Sequence, residues 1–270
     1  MKLEQTALVS ATGTAAKRSN NPVFTGKMNA CAILDKFERQ ENIGKGRELK
    51  VNANKEVEGL LNVFREFLGK ETPEGLDEAC GEIRRKTKTI AYTADDIRIF
   101  SMALAKFQYE NEFYERAGIF LSALINSSRE KDFIIEAGNL SVGMVFIGYE
   151  NTKNVTVIGN VGDYAGFYMD GGSLMVEGNA EMEIGRNMKR GRITVKGDVG
   201  RNPGRYMKKG RIDIDGSARD FYEFSMDGGR LTVNGCIGVG FADNTVGGNI
   251  YQKKRQLVRN GEKIAEPKNK

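Results

Sequence analysis

The 270 residues contain no histidine. This excludes a Ser-His-Asp triad, a Cys-His dyad, a His-ligated zinc site and an imidazole general base. Chemistry on this chain would have to run on carboxylates, Lys, Tyr or the cysteines. Cys31, Cys80 and Cys236 lie 49 and 156 residues apart, which fits neither a disulfide framework nor a CxxC metal clip. They are expected to be small buried residues of a chain in a reducing, cytoplasmic setting. Arg219, Asp220 and Glu223 sit in the run Ala218-Arg219-Asp220-Phe221-Tyr222-Glu223-Phe224. They could form a carboxylate site for an anionic saccharide, or a bulged corner covered by the helical domain, its aromatics packed against that domain in an interface within the molecule. The many glycines do not make a phosphate loop, because none opens a helix with Lys-Ser/Thr following.

What positions these residues is a repeat. Gly172, Gly191, Gly210, Gly229 and Gly248 are 19 apart, as are Gly159, Gly178, Gly197, Gly216 and Gly235, and Met169, Met188, Met207 and Met226. Two apolar columns share the period, Val155-Leu174-Ile193-Ile212-Leu231 and Val157-Val176-Val195-Ile214-Val233. A smaller one follows, Val161-Ala180-Val199-Ala218-Ile237. Within one copy, as in Arg192-Ile193-Thr194-Val195-Lys196, apolar and polar residues alternate, which predicts a strand with one buried face. A glycine then allows a sharp turn. One copy cannot bury its apolar face alone, so copies must stack. The expected fold is a parallel β-helix with 19-residue coils, and about six coils at ~4.8 Å each make a rod of ~30 Å. The hexapeptide left-handed type needs coils in multiples of six, so a right-handed solenoid is expected.

In such a stack, residues 19 apart are neighbours. Lys189-Arg190 then lies over Lys208-Lys209, flanked by Arg186, Arg201 and Arg205 and by the column Arg192-Arg211-Arg230. The concentrated charge suggests a docking surface for an acidic partner or a phosphate-bearing ligand. The competing reading is a solvated face neutralised by Glu177, Asp198 and Asp215. Asn160, Asn179, Asp198 and Ser217 form a polar column expected to be a hydrogen-bonded ladder serving turn backbone.

The rest of the chain is organised differently. Residues 134–248 hold 23 of the 33 glycines and residues 1–133 only nine, which places a boundary near 130. Residues 1–27 are read as a flexible segment, 28–130 as a helical domain, 131–252 as the β-helix and 253–270 as a basic tail. Val57, Leu60, Leu61, Phe64, Phe67 and Leu68 have amphipathic-helix spacing ending at Gly69. Thr72-Pro73-Glu74 should open a second helix through Ala79, Cys80 and Ile83. Thr93, with Asp96 three residues on, caps helical sequence that runs to Asn126 as one helix or as two broken near Gly118. Its aromatic stripe is read as core. The net charge of +5 arises from 41 basic and 36 acidic residues, and the final 18 residues alone carry seven basic and two acidic side chains. Residues 1–252 are therefore neutral overall, and a nucleic-acid partner is not expected. No apolar run of about 18 residues exists to cross a membrane, and the first twenty residues show no secretory h-region.

Gly159-Asn160-Val161-Gly162-Asp163-Tyr164-Ala165-Gly166 and the stretch Met169-Asp170-Gly171-Gly172-Ser173-Leu174 resemble the GXGXG repeat. That repeat forms the C-terminal β-helix of the glutamate synthase large subunit and the β-helical component of formylmethanofuran dehydrogenase. The resemblance covers roughly residues 139–250, with Asn139 to Gly148 similar to the irregular opening coil of those domains. It implies a non-catalytic scaffold or assembly subunit in an oxidoreductase-type complex, partnered by other protein subunits. No cofactor is expected on this chain; flavin, iron–sulfur or molybdenum/tungsten would reside in the partners. The alternatives are a standalone self-assembling or ligand-binding module and, third, the carboxylate-based saccharide enzyme. A solenoid must close its ends, and Ile250-Tyr251 with Leu257-Val258 could form a closing hairpin.

Overall fold

The computed structural model describes residues 53–70, 75–222 and 224–269. The expected flexible segment 1–27, the Thr72-Pro73-Glu74 helix start, Cys31 and Glu223 lie outside the described residues.

Among the described residues four α-helices come first: α1 (Lys55–Leu68), α2 (Leu76–Thr87), α3 (Ala94–Ala103) and α4 (Phe113–Ser127). Asn54 caps α1 by accepting from the Val57 N–H at 2.9 Å, and Thr93 and Asp96 form a reciprocal capping box on α3, each satisfying orphan donors of a first turn. The aromatic stripe is core. Phe64 meets Phe100, Phe107, Phe113 and Phe120 edge-on at centroid distances of 5.8, 5.5, 6.2 and 5.1 Å. The sequence left open a break near Gly118. The break lies earlier, in a 3-10 turn over Leu104–Phe107 and the polar run Tyr109-Glu110-Asn111-Glu112. There Glu112 turns left-handed at φ 56°.

The remainder is a parallel β-solenoid of about six turns with coils of about 19 residues. Its strands are β1 (Asp132–Glu136), β2 (Asn154–Ile158), β3 (Asp170–Val176), β4 (Arg190–Val195), β5 (Arg211–Ile214), β6 (Arg230–Val233) and β7 (Asn249–Gln252), each parallel to the next in chain order. The apolar columns are the register itself: Val155 pairs with Leu174, Leu174 with Ile193, Ile193 with Ile212 and Ile212 with Leu231. The smaller column forms a second face of single bridges from Met144 through Val161, Ala180, Val199 and Ala218 to Ile237. The four stacked methionines, Met169, Met188, Met207 and Met226, are fully buried.

Both ends are closed by side chains that stand in for a missing coil. At the first coil, α3, α4 and the connection between them supply the partners. Ser101 Oγ accepts from Glu136 N at 2.9 Å and Gln108 Oε1 from Ser141 N at 3.1 Å. Ser122 Oγ accepts from Gly148 N and Tyr149 N at 2.9 and 3.2 Å. Asn126 Nδ2 donates to Tyr149 O at 2.9 Å, and Val145 N donates to Tyr114 O at 3.0 Å. Gly118 makes this approach feasible, since a Cβ there would sit 1.8 Å from the Val145 carbonyl oxygen. The helical part is thus a lid on an otherwise open sheet edge.

At the other end, β7 turns back into β8 (Arg255–Arg259) and β9 (Glu262–Lys263), with Ile250 opposite Val258. The hairpin expected from Ile250-Tyr251 and Leu257-Val258 is present. The segment read as a basic tail is therefore ordered, and residues beyond β9 fold across the last coil. In an inner coil, Ala218 N donates to Cys236 O and Ala218 O accepts from Gly238 N, at 2.9 and 3.1 Å. At the last coil the Asn269 side chain performs both roles for Ile237, accepting its N–H at 3.0 Å and donating to its carbonyl at 2.6 Å. Gln252 likewise donates to Gly235 O at 3.0 Å.

Candidate docking surface

Each coil contributes a strand, a short bridge segment and a tight corner, and the polar residues project from these at fixed spacing. The ladder just after the strand is as the sequence suggested. Asn160 Oδ1 accepts from Asn179 N at 2.8 Å, Asn179 Oδ1 from Asp198 N at 2.9 Å, Asp198 Oδ1 from Ser217 N at 2.8 Å and Ser217 Oγ from Cys236 N at 3.0 Å. Every side chain thus satisfies the backbone of the coil above it. The neighbouring glycines leave room: a Cβ at Gly197 would meet Asn179 Oδ1 at 2.0 Å. Asp198 belongs to this ladder and forms no ion pair among the described residues.

Six of the basic residues expected at the docking surface, Arg186, Lys189, Arg190, Arg205, Lys208 and Lys209, divide into two sets. Arg186 and Arg205 belong to the corner. Both bind Glu183, which is only 7% exposed, through Arg186 Nη1–Oε2 at 2.5 Å and Arg205 Nη1–Oε1 at 2.9 Å. Arg186 also lies over the Tyr164, Phe167 and Tyr206 rings, and Arg205 over Tyr206. These contacts fix the two guanidinium groups within the fold. Glu183 was missed at the sequence level, although Arg186 lies three residues on and Arg205 falls 19 after Arg186.

Lys189, Arg190, Lys208 and Lys209 are exposed at the edge leading into β4 and β5. Arg190 Nε binds Asp170 Oδ1 at 2.8 Å, and its guanidinium holds the Asp170 carboxyl below the usual carboxylate range. Lys189 lies 5.7 Å from the centre of the Tyr168 ring. No ion pair is formed by Lys189, Lys208, Lys209 or the adjoining Arg192 among the described residues. Below them Arg211 Nε binds Asp213 Oδ2 at 2.5 Å, and Arg230 stacks 3.9 Å from the centre of the Tyr251 ring. Of the carboxylates expected to neutralise this face, Asp215 instead binds Lys196, at 3.1 Å.

The irregular fourth coil does not behave as expected. Phe221 and Phe224 turn inward, fully buried and edge-on to each other at 4.9 Å. The helical part packs at the opposite end, against β1, so it does not cover this corner. Asp220 Oδ1 accepts from Val239 N at 3.1 Å, and the Tyr222 hydroxyl donates to its Oδ2 at 3.2 Å. Both Asp220 oxygens thus have structural partners. Tyr222, 52% exposed, carries Arg201 over its ring. Burial pushes the Asp163 and Glu181 carboxyls up, and Asp163 adds to the effect at Glu181.

Cys80 is a free thiol, 1% exposed, and burial pushes its pKa up to about 11, which keeps it protonated and unreactive. Cys236 is half-buried, and its backbone N–H is bound by Ser217 Oγ. Among the described residues no cluster of Cys, Asp and Glu could hold a metal ion, and no helix is long and apolar enough to cross a membrane.

Fold and surface together define a parallel β-solenoid closed at both ends, with a cationic edge of which Arg190 pairs with Asp170 while Lys189, Arg192, Lys208 and Lys209 form no ion pair among the described residues. No protein-family model, curated protein or solved structure matches the chain.

Proposed function

We propose that this chain is a non-catalytic scaffold subunit of an oxidoreductase-type complex, and that Lys189, Lys208, Lys209 and Arg192 dock an acidic face of another subunit. One observation carries the reading: four exposed cations, on adjacent rungs of a rigid stack, have no counter-ion of their own among the described residues. Like charges held about 4.8 Å apart repel, and an acidic partner relieves that repulsion while gaining steered encounter. The GXGXG-like motif favours the oxidoreductase setting, and flavin, iron–sulfur or molybdenum/tungsten chemistry would then belong to the partner. The caps on the first and last coils disfavour self-assembly by axial stacking.

The test is purification of the tagged chain from its native cells, followed by visible absorbance and identification of stoichiometric partners. A flavin- or iron–sulfur-bearing subunit should co-elute. It should be lost from a K189E/K208E/K209E variant whose circular dichroism and melting match wild type. A wild-type chain that elutes as an isolated monomer, or a variant that keeps its partner, would overturn the proposal.

A further inference from the structure

A cleft of about 380 Å³ opens in the helical part where the C-terminal ends of α2 and α4 face each other. Three cations line it: Arg84 and Lys88 at the end of α2, and Arg129 just past α4. None of the three makes an ion pair or side-chain hydrogen bond among the described residues. The one carboxylate in the lining, Glu130, is engaged elsewhere and accepts the Ala94 N–H at 2.8 Å at the start of α3.

The hydroxyls of the lining also point to what could bind. Thr87 donates to Ile83 O at 2.9 Å, Ser127 to Ala123 O at 2.7 Å and Tyr92 to Leu124 O at 3.1 Å. Their protons are directed into the helices, whereas the Ser128 hydroxyl accepts from Glu130 N at 3.2 Å and keeps its proton, so the donors free to meet an occupant are the three cationic groups and Ser128. An occupant must therefore be rich in acceptors and negatively charged. Two helix C-termini oppose an anion, each with roughly half a negative charge. Set against three cations and one carboxylate, they leave the cleft at about +1, so an anion is still favoured.

Size and lining narrow the class. The volume lies at the small end of ligand clefts, which span about 300–1,000 Å³, and Ile90 and Tyr92 add apolar surface to the wall. A dianion uses several cations better than a single carboxylate does, and guanidinium forks match phosphate oxygens. We propose that this cleft binds a small phosphomonoester, its phosphate among Arg84, Lys88 and Arg129 and its organic body against Ile90 and Tyr92. This site is remote from the cationic edge on β4 and β5, and the inference does not depend on the scaffold reading.

The experiment uses the full chain, with AMP, adenosine and inorganic phosphate as probes in calorimetry and thermal melting. AMP should bind saturably and raise the melting temperature, inorganic phosphate should do so more weakly, and adenosine should not. K88Q/R129Q alters two exposed side chains and should keep the fold. It should weaken AMP binding by about tenfold or more. If cations here only complement the helix dipoles, AMP will show no saturable binding at millimolar concentration. That result overturns the proposal, as would equal binding of AMP and adenosine or unchanged affinity in the double variant.

Discussion

Replacing Gly118 by alanine adds a methyl group to the middle of α4, where helix propensity alone favours alanine by about 1 kcal/mol. The structure predicts the opposite sign. The new Cβ would lie 1.8 Å from Val145 O, 2.9 Å from Val145 C and 3.1 Å from Ile147 N, all backbone atoms that no rotamer change can move. Restoring an ordinary contact separates α4 from the first coil by roughly 1.5 Å or more. Four of the hydrogen bonds that cross that seam are Val145 N to Tyr114 O, Gly148 N and Tyr149 N to Ser122 Oγ, and Asn126 Nδ2 to Tyr149 O. They measure 2.9–3.2 Å, so such a shift breaks them. At about 1 kcal/mol each the loss is about 4 kcal/mol. Less the helical gain, G118A should be destabilised by about 3 kcal/mol. For a domain of this size, that lowers the melting temperature by about 6–12 °C. Gly81 provides the internal control: it lies within α2, and a Cβ there would meet nothing within 4 Å. G81A should show the unopposed gain, about 2–4 °C upward. Differential scanning calorimetry of the two variants decides the matter. A G118A protein that melts at or above wild type while G81A rises would refute the claim that this close approach seats the lid.

Two further expectations concern the solenoid. N179A removes the acceptor of the Asp198 N–H and should cost about 1–3 kcal/mol, with faster hydrogen exchange at that amide; N179S should recover part of this, because Ser217 plays the same role further along the column. Asp163 titrates higher in the fold than in the unfolded chain because burial penalises its charge. The fold therefore loses stability as pH rises from the ordinary aspartate range through the raised value. D163N preserves an acceptor for the Met182 N–H, which Asp163 Oδ1 takes at 2.9 Å. It should melt above wild type at neutral pH and level with it below the aspartate range; an equal difference at both pH values would contradict the burial argument.

The solenoid was legible because its order is one-dimensional. A side chain's neighbours lie 19 residues away on either side, so the columns through Val155, Val157 and Val161 could be read as packing and Asn160-Asn179-Asp198-Ser217 as a ladder. The lid was not legible, since Ser101, Gln108, Ser122 and Asn126 bind backbone groups, which carry no residue-specific signal. Gly118 resembled a helix breaker, yet it is the residue that lets the helix lie close. At the corner, Tyr164, Glu183, Asn202 and Tyr206 adopt left-handed backbone at φ 54–59°. Of these only Asn commonly does so, so the turn that buries Glu183 was hidden. With Glu183 hidden, the pairing that separates Arg186 and Arg205 from the exposed lysines was hidden too.

The substitution of Gln252 and Asn269 for a further coil has a consequence for length. Their contacts are with the last rung only, and those of α3 and α4 are mainly with the first, so neither closure senses how many rungs lie between. Inserting or deleting one 19-residue copy in the middle would alter the height by about 4.8 Å and leave both closures with their present neighbours. The rod is in effect a ruler graduated in single rungs. The separation between anything held at its helical head and anything held at its far end can be changed by whole repeats, without redesign of either terminus.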